Sequence, residues 1–188
     1  MLALLALWVL AADAFIPQGT TAGVDVASRE VAGSPFAELR FRLLEVGDVE
    51  TLCQRAFGTG RMDPQEPHLL ARRTLREGPH ERLTYEQIAP PFVSKRDYVV
   101  LSRIFRFTTG ACRVEFVSTD ELAPPLPAGW VRLKALKGSF LFAPAPNGHV
   151  SIEHHIHLDP GGDIPAWATE MTRRDMGIAW LRRLVTRS

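Results

Sequence analysis

Hydrophobic positions along this chain fall into short β-prone runs that are separated by turn residues. The runs are residues 24–31, 36–45, 69–76, 82–88, 97–108, 111–118, 130–143 and 149–158. Gly78-Pro79 and Asn147-Gly148 lie between consecutive runs, and the Asn-Gly dipeptide is a strong hairpin signal. The pattern therefore predicts mainly antiparallel strands joined by short turns.

Two other segments follow helical spacing. Asp48 is a suitable N-cap for a short helix that runs to about Phe57. The positions that this helix would bury are Val49, Leu52, Cys53 and Ala56. The second helix is long and C-terminal, and Asp163 is its predicted N-cap.

Hydrophobic residues of this terminal segment recur at spacings of three, four and seven and form one apolar stripe. The stripe comprises Ile164, Trp167, Ala168, Met171, Ile178, Leu181 and Val185. Arg173, Arg182 and Arg183 lie mostly off it. Many antiparallel strands with one long terminal helix predict an α+β fold, in which the helix lies across a curved sheet and can cover a cavity.

Composition narrows the class of protein. The chain has 188 residues, of which 46% are hydrophobic and 23% charged, as expected for one globular domain. A net charge of +1 gives no electrostatic case for nucleic-acid binding. Cys53 and Cys112 could form one bridge in an oxidising compartment, or remain two unpaired core thiols.

The N-terminus carries an uncharged hydrophobic run over residues 2–12. The run is shorter than the roughly 20 residues that span a bilayer, and it fits the hydrophobic core of a secretory signal peptide. Ala12-Asp13-Ala14 matches a cleavage site, although no Lys or Arg precedes the run. We therefore expect a signal peptide over 1–14, a single domain over 15–188, and a periplasmic or secreted protein. The alternative is a buried N-terminal helix in a cytoplasmic protein.

Three histidines near the end of the last predicted strand suggest a metal site. Alternation places Glu153, His155 and His157 on one face and His154 on the other, among apolar neighbours. No further ligand cluster is evident, so we expect surface imidazoles, no metal and no cofactor. His154 could bond a ligand headgroup or only a backbone group.

Sequence motifs for catalysis are missing as well. The chain has no Gly-rich phosphate loop, no nucleophile elbow and no Cys/His dyad, and we predict no catalytic residues. Arg96 and Asp97 are expected to form a structural ion pair or backbone anchor. Arg103 and Glu115 are expected to pair across neighbouring strands.

Several short motifs, in order along the chain, resemble the START lipid-transfer domain family. They are Gly23-Val24-Asp25-Val26, Arg96-Asp97-Tyr98-Val99, Gly129-Trp130-Val131-Arg132, Gly138-Ser139-Phe140, Asp159-Pro160-Gly161-Gly162 and Ile164-Pro165-Ala166-Trp167. The similarity covers about residues 15–183. Phe15 stands where the family usually has Trp, and the helical insert after the second strand is short. Ser102 occupies a position where some sterol-binding members have Arg, so sterol specificity does not carry over.

The resemblance implies a helix-grip fold and a tunnel between sheet and helix that reversibly binds a lipid or other hydrophobic molecule, without enzymatic activity. A membrane surface would be a transient partner. The predicted ligand-binding residues on strands are Val100, Ser102, Ile104, Val114, Phe116, Leu141, Ile152, His154 and Ile156. Those on the helix are Trp167, Met171 and Ile178. The hairpin at residues 144–147 and the terminal helix are expected to act as gates.

Two other functions remain open on the sequence. One is an aromatase/cyclase-like enzyme of the same superfamily, which would need several ionisable groups pointing into the tunnel. The other is a protein-interaction module whose cavity is vestigial.

Overall fold

The structure is a computed structural model that describes residues 14–58, 66, 68–90, 93–162, 164 and 166–186, without the side chains of 166–172. Its strands are β1 (Ile16–Thr21), β2 (Val24–Arg29), β3 (Glu38–Val46), β4 (Leu69–Glu77), β5 (Glu81–Ile88), β6 (Arg96–Arg106), β7 (Cys112–Thr119), β8 (Val131–Arg132), β9 (Ala135–Ala145) and β10 (His149–Asp159). The helices are α1 (Val49–Phe57) and α2 (Ala166–Thr186), and a 3-10 turn covers Pro146–Gly148. The N-terminal signal prediction falls on residues 1–13, outside the described residues.

All strands belong to one sheet in the order β1-β2-β3-β10-β9-β7-β6-β5-β4, and β8 pairs with β6 in parallel. Every other pairing is antiparallel. The predicted α+β class is confirmed. Within the described residues, neither helix combines the length and apolar character needed to cross a bilayer.

One face of this sheet, called here the inner face, packs against both helices. Its core contains Leu52 and Cys53 from α1 and Ile178, Leu181 and Leu184 from α2. Asp48 caps α1 as predicted, since its carboxylate accepts a hydrogen bond of 2.7 Å from the Thr51 amide.

The middle of α2 lies very close to β3. A methyl group added to Gly177 would come within 2.5 Å of the Phe41 ring, so only glycine allows this approach. Arg173 was expected off the apolar stripe but is buried, and its guanidinium donates to the carbonyl of Ala37. Arg182 likewise reaches Glu45 (3.0 Å) and the carbonyl of Ala22. These arginines therefore fix the helix to the first strands of the sheet.

A disulfide bond joins Cys53 of α1 to Cys112 of β7. Both residues are at most 1% exposed, and the bridge closes a sequence separation of 59 residues. The sequence left open whether the two cysteines are bridged or free, and the structure shows the bridge. It also connects α1, which lies outside the strand ladder, to the centre of the sheet.

The outer face carries a second, smaller core. Leu83, Tyr85 and Val99 are buried there, and Leu75, Leu101 and Ala123 pack on them. Ala123 belongs to the β7–β8 connection, which therefore covers the outer side of β5 and β6.

Two sequence predictions about elements need correction. The predicted strand 130–143 is divided into β8 and β9, because the Leu133 and Lys134 amides donate instead to the carbonyls of Asp97 and Asp159. Strand β1 was not predicted. Residues 144–147 join β9 to β10, where the Gly47 amide bonds the Gly148 carbonyl beside the start of α1, and their role as a gate stays a prediction.

Candidate functional site

The strand register assembles most of the predicted binding residues on the inner face. Ile104, Val114, Ile152 and Ile178 are buried in the inner core, and Phe116 and Ile156 pack against it. Val100 and Ser102 lie on the same face of β6 as Ile104. The side chains of Trp167 and Met171 lie outside the described residues.

Leu141 was predicted wrongly. Its neighbours Phe140 and Phe142 are 5% and 0% exposed in the inner core, so Leu141 points to the outer face. A register shift of one residue moves every side chain of a strand to the opposite face of the sheet. Nothing in the sequence of 130–143 indicated which of its residues face the interior. Phe140 and Phe142 are therefore the residues that β9 contributes to the interior.

Two adjacent rows across the sheet differ in burial. Ile104, Val114, Phe140, His154 and Phe41 form one row on consecutive paired strands, and all are buried. The next row runs through Ser102, Phe116, Gly138 and Ile156 to Leu39. Its first four members remain partly accessible, whereas Leu39 is 2% exposed. The second row is thus less completely covered than the first at β6, β7, β9 and β10. We call the region over Ser102, Phe116, Gly138 and Ile156 the hollow.

Gly138 makes room for the Phe116 ring. A methyl group at this position would lie 2.1 Å from the His155 carbonyl oxygen and 2.5 Å from the Phe116 ring. Because glycine has no side chain, the Phe116 ring can lie over β9. This explains the glycine of the Gly138-Ser139-Phe140 motif.

His154 lies in the first row within an aromatic cluster. Its ring stacks on Phe140 at 3.9 Å between centroids, with Phe41 at 5.6 Å, Phe116 at 6.1 Å and Trp180 at 6.2 Å. Its Nδ1 lies 3.0 Å from the carbonyl oxygen of Ser139. Burial lowers the pKa of His154 to about 3, so the ring is neutral near pH 7. Sequence analysis did not identify Trp180 as part of this cluster.

A polar cluster occupies the inner face of β4, β5 and β6. Glu86 accepts hydrogen bonds from Arg72 Nε (2.8 Å) and the Tyr98 hydroxyl (2.6 Å), and Arg72 also pairs with Glu66 at 2.9 Å. Burial opposes the charge on Arg72, but the carboxylates of Glu86 and Glu66 outweigh it and raise its pKa. Burial and the Glu86 carboxylate raise the pKa of Tyr98 well above its ordinary value. The sequence missed this cluster, although the register of the predicted β4–β5 hairpin could have indicated it.

The residues of the Arg-Asp motif are structural, but they do not pair with each other. Arg96 is 2% exposed and donates to the carbonyls of Ser94, Pro160 and Gly161, which fixes the Asp-Pro-Gly-Gly turn to the start of β6. Asp97 instead binds Arg132. The predicted backbone anchor is therefore found at Arg96.

Arg103 and Glu115 face each other in the register, but their ion pairs lie elsewhere. Arg103 contacts Glu81 at 3.4 Å, and Glu115 contacts Arg113 at 3.5 Å. The predicted pair is replaced by these two contacts.

The remaining histidines face as the alternation predicted. His155 lies on the outer face between the carboxylates of Glu153 (2.7 Å) and Glu38 (3.2 Å), beside a groove of about 500 Å³. His157 bonds the Ser34 hydroxyl at 3.0 Å. The expectation of surface imidazoles is wrong for this residue, which is 5% exposed. Among the residues that the structure describes, no three His, Cys, Asp or Glu side chains converge as metal ligands do.

Comparison with known proteins gives the family. The START domain profile matches residues 73–185, which is more than half of the chain. The chain belongs to the START domain family. No curated protein sequence matches it significantly.

Solved structures agree with this assignment. A STAR-related lipid transfer protein fragment from Xanthomonas axonopodis matches with a TM-score of 0.81 at 23% identity, over 93% of this chain and 98% of that chain. Human STARD10 matches with a TM-score of 0.79 at 14% identity, over 95% and 75%. The Zhui aromatase/cyclase from Streptomyces sp. R1128 matches with 0.51 at 11% identity, over 79% and 90%. At these identities the structures show the fold, and the predicted START helix-grip fold is confirmed.

Proposed function

We propose that this START domain binds a lipid or another hydrophobic small molecule in the hollow and transfers it between membranes. The observation that supports this most directly is the change in burial between neighbouring rows of the inner face. Phe116 and Ile156 remain partly accessible beside the first row, which is buried. Apolar surface in such a place is suited to a hydrocarbon chain.

The energetics explain why transfer needs such a space. Moving an acyl chain from a bilayer into water costs about 0.8 kcal/mol per CH₂, or on the order of 12 kcal/mol for a chain of ~16 carbons. A dry apolar hollow removes most of this cost. Transfer from membrane to protein then becomes nearly neutral, so the lipid can both enter and leave.

The test is to incubate the purified protein with a total lipid extract and identify retained molecules by native mass spectrometry. Ile156→Trp fills the hollow from the inner face, whereas Leu141→Trp adds the same side chain on the outer face. We expect a defined lipid on the wild-type protein and on Leu141→Trp, and strongly reduced retention on Ile156→Trp. A wild-type protein that stays empty would favour a vestigial cavity and contradict lipid carriage.

We also propose that the protein is exported. The hydrophobic run at residues 2–12 and the Cys53–Cys112 bridge support this, because structural disulfides persist mainly in oxidising compartments. N-terminal sequencing of the protein from its native host tests the proposal. Export with cleavage after Ala14 gives Phe15 as the first residue, and an intact Met1 with reduced thiols would contradict it.

An aromatase/cyclase-like activity is the second candidate function. The specific observation in its favour is the Tyr98–Glu86 hydrogen bond among inner-face ionisable groups. Incubation with a linear polyketide would detect it by product formation, which Tyr98→Phe should abolish. Binding of the polyketide without turnover would leave lipid carriage as the function.

A further inference from the structure

A groove on the outer face of the sheet takes no part in the proposed carriage of lipid. It has a volume of about 500 Å³, within the range of small-molecule sites, and its lining comes mainly from β6, β7, β9 and β10. Glu115 of β7, Ser139 of β9 and His155 of β10 are neighbours in the strand register, and all three line the groove. Because serine has the shortest side chain of the three, the outer surface is indented over β9.

Apolar side chains form part of the groove. Leu101 of β6, Val117 of β7 and Leu141 of β9 line it, and Leu101 faces Val117 directly in the register. Val117 is 44% exposed, so a molecule in the groove would remove apolar surface from water, which is favourable in proportion to the area covered. The groove can therefore hold the apolar part of a ligand.

The charges of the groove favour an anion. Apart from His155, its lining includes four cationic side chains and three carboxylates, an excess of one positive charge. Two of the carboxylates already have cationic partners, since Glu38 pairs with Arg29 at 2.8 Å and Glu153 pairs with Arg42. Binding of a monoanion would balance the excess.

Three of the cations are incompletely neutralised. Lys137 is exposed, and its ammonium group forms no ion pair or hydrogen bond with any residue that the structure describes. Arg103 and Arg113 reach Glu81 and Glu115 only at 3.4 Å and 3.5 Å, longer than the roughly 2.7–2.9 Å of a charge-assisted hydrogen bond. Within the described residues, Nε of Arg113 also has no acceptor. These groups retain the capacity to donate to a further carboxylate.

We propose that the groove binds a small organic carboxylate with an apolar body. Lys137 and Val117 are partners in the β7–β9 register, so a carboxylate held by the Lys137 ammonium group has its apolar part over Val117. The site lies on the opposite face of the sheet from the hollow. It is therefore independent of the proposed function.

The test is an NMR titration of the ¹⁵N-labelled protein with octanoate and with octanol, which has the same chain length but no charge. We expect octanoate to produce saturable shifts of the amides of Val117, Lys137 and Ser139 that weaken with added salt, and octanol to produce much smaller shifts. Lys137→Gln should raise the dissociation constant for octanoate by about two- to fivefold, the range for an exposed ion pair. Lys95→Gln removes an exposed lysine outside the groove, one that lies over the Trp130 ring, and should keep the wild-type value.

Two further variants separate this groove from the hollow. Leu141→Trp fills the groove and should weaken octanoate binding, whereas Ile156→Trp acts on the inner face and should leave it unchanged. An unchanged dissociation constant in Lys137→Gln, or no saturable shift in the wild type, overturns this inference and leaves lipid carriage unaffected. Weaker binding in Ile156→Trp but not in Leu141→Trp would place the carboxylate in the hollow, which also overturns the inference and supports the proposed function.

Discussion

Arg132 holds the carboxylate of Asp97 with two parallel hydrogen bonds, 3.1 Å from Nε to Oδ1 and 2.8 Å from Nη2 to Oδ2. Asp97 is fully buried and also accepts from the Tyr85 hydroxyl at 3.0 Å. Arg132 reaches the Pro124 carbonyl as well, at 2.7 Å. One arginine on β8 therefore satisfies a buried charge on β6 and fixes the connection that covers the outer core.

Arg132→Ala should destabilise the protein strongly, because it leaves the Asp97 carboxylate buried without its cation. We expect a loss of about 3 kcal/mol in the free energy of unfolding, measured by urea denaturation. The matched control is Arg103→Ala, which breaks an exposed pair with Glu81 and should cost less than about 1 kcal/mol. Similar losses for the two variants would show that the buried ion pair contributes no more to the free energy of unfolding than the exposed one.

Removing the disulfide should also destabilise the domain. Closing a loop of 59 residues restricts the unfolded chain, which corresponds to about 4 kcal/mol in the chain-entropy model. Cys53→Ala with Cys112→Ala should therefore lower the urea midpoint, as should a reductant added to the wild type. If the unfolded, unreduced protein reacted with a thiol reagent, the bridge itself would be disproved.

The acid stability of the protein should depend on His154. Its pKa falls from 6.5 to about 3 on folding, so the unfolded state binds a proton that the folded state excludes. The associated stability is present above pH 6.5 and is lost as the pH falls toward 3. Between pH 6.5 and 4.5 the loss should be about 2 kcal/mol, and His154→Phe should flatten the profile of urea midpoint against pH. An unchanged slope in this variant would contradict the assignment.

The two tyrosines should make the protein sensitive to alkali. Burial raises the pKa of both Tyr85 and Tyr98 above the ordinary value of 10.0. Their contribution to stability is complete below pH 10 and declines as the pH rises further, because only the unfolded state loses its phenolic protons readily. Tyrosinate absorbance should therefore appear at higher pH in the native protein than in urea. Coincident titration curves would be evidence against this burial.

The sequence predicted α1, α2 and the positions of most strands along the chain because these features depend on local signals. Asp48 caps α1, and the Asn147-Gly148 turn leads into β10, as short-range chemistry dictates. Every residue of strand β1 is exposed, so this strand has no buried face and gave no hydrophobic signal. It is held by pairing with β2, which is a tertiary property.

The site was only partly predictable for a similar reason. Alternation placed His154 and Ile156 correctly on one face because both follow the apolar parity of β10. Leu141 was assigned to the wrong face because β9 begins later than the hydrophobic run suggested. The face on which a residue lies depends on the register of its strand. The partnership of Arg72, Glu86 and Tyr98 joins three strands, and only the paired register brings them together.

Strand β5 is covered on both sides. Five consecutive residues, Arg82–Glu86, are buried, and side chains alternate in direction along a strand. Opening the hydrogen bonds of this strand therefore requires disruption of two cores at once, so its amide protons should exchange with solvent among the slowest in the molecule.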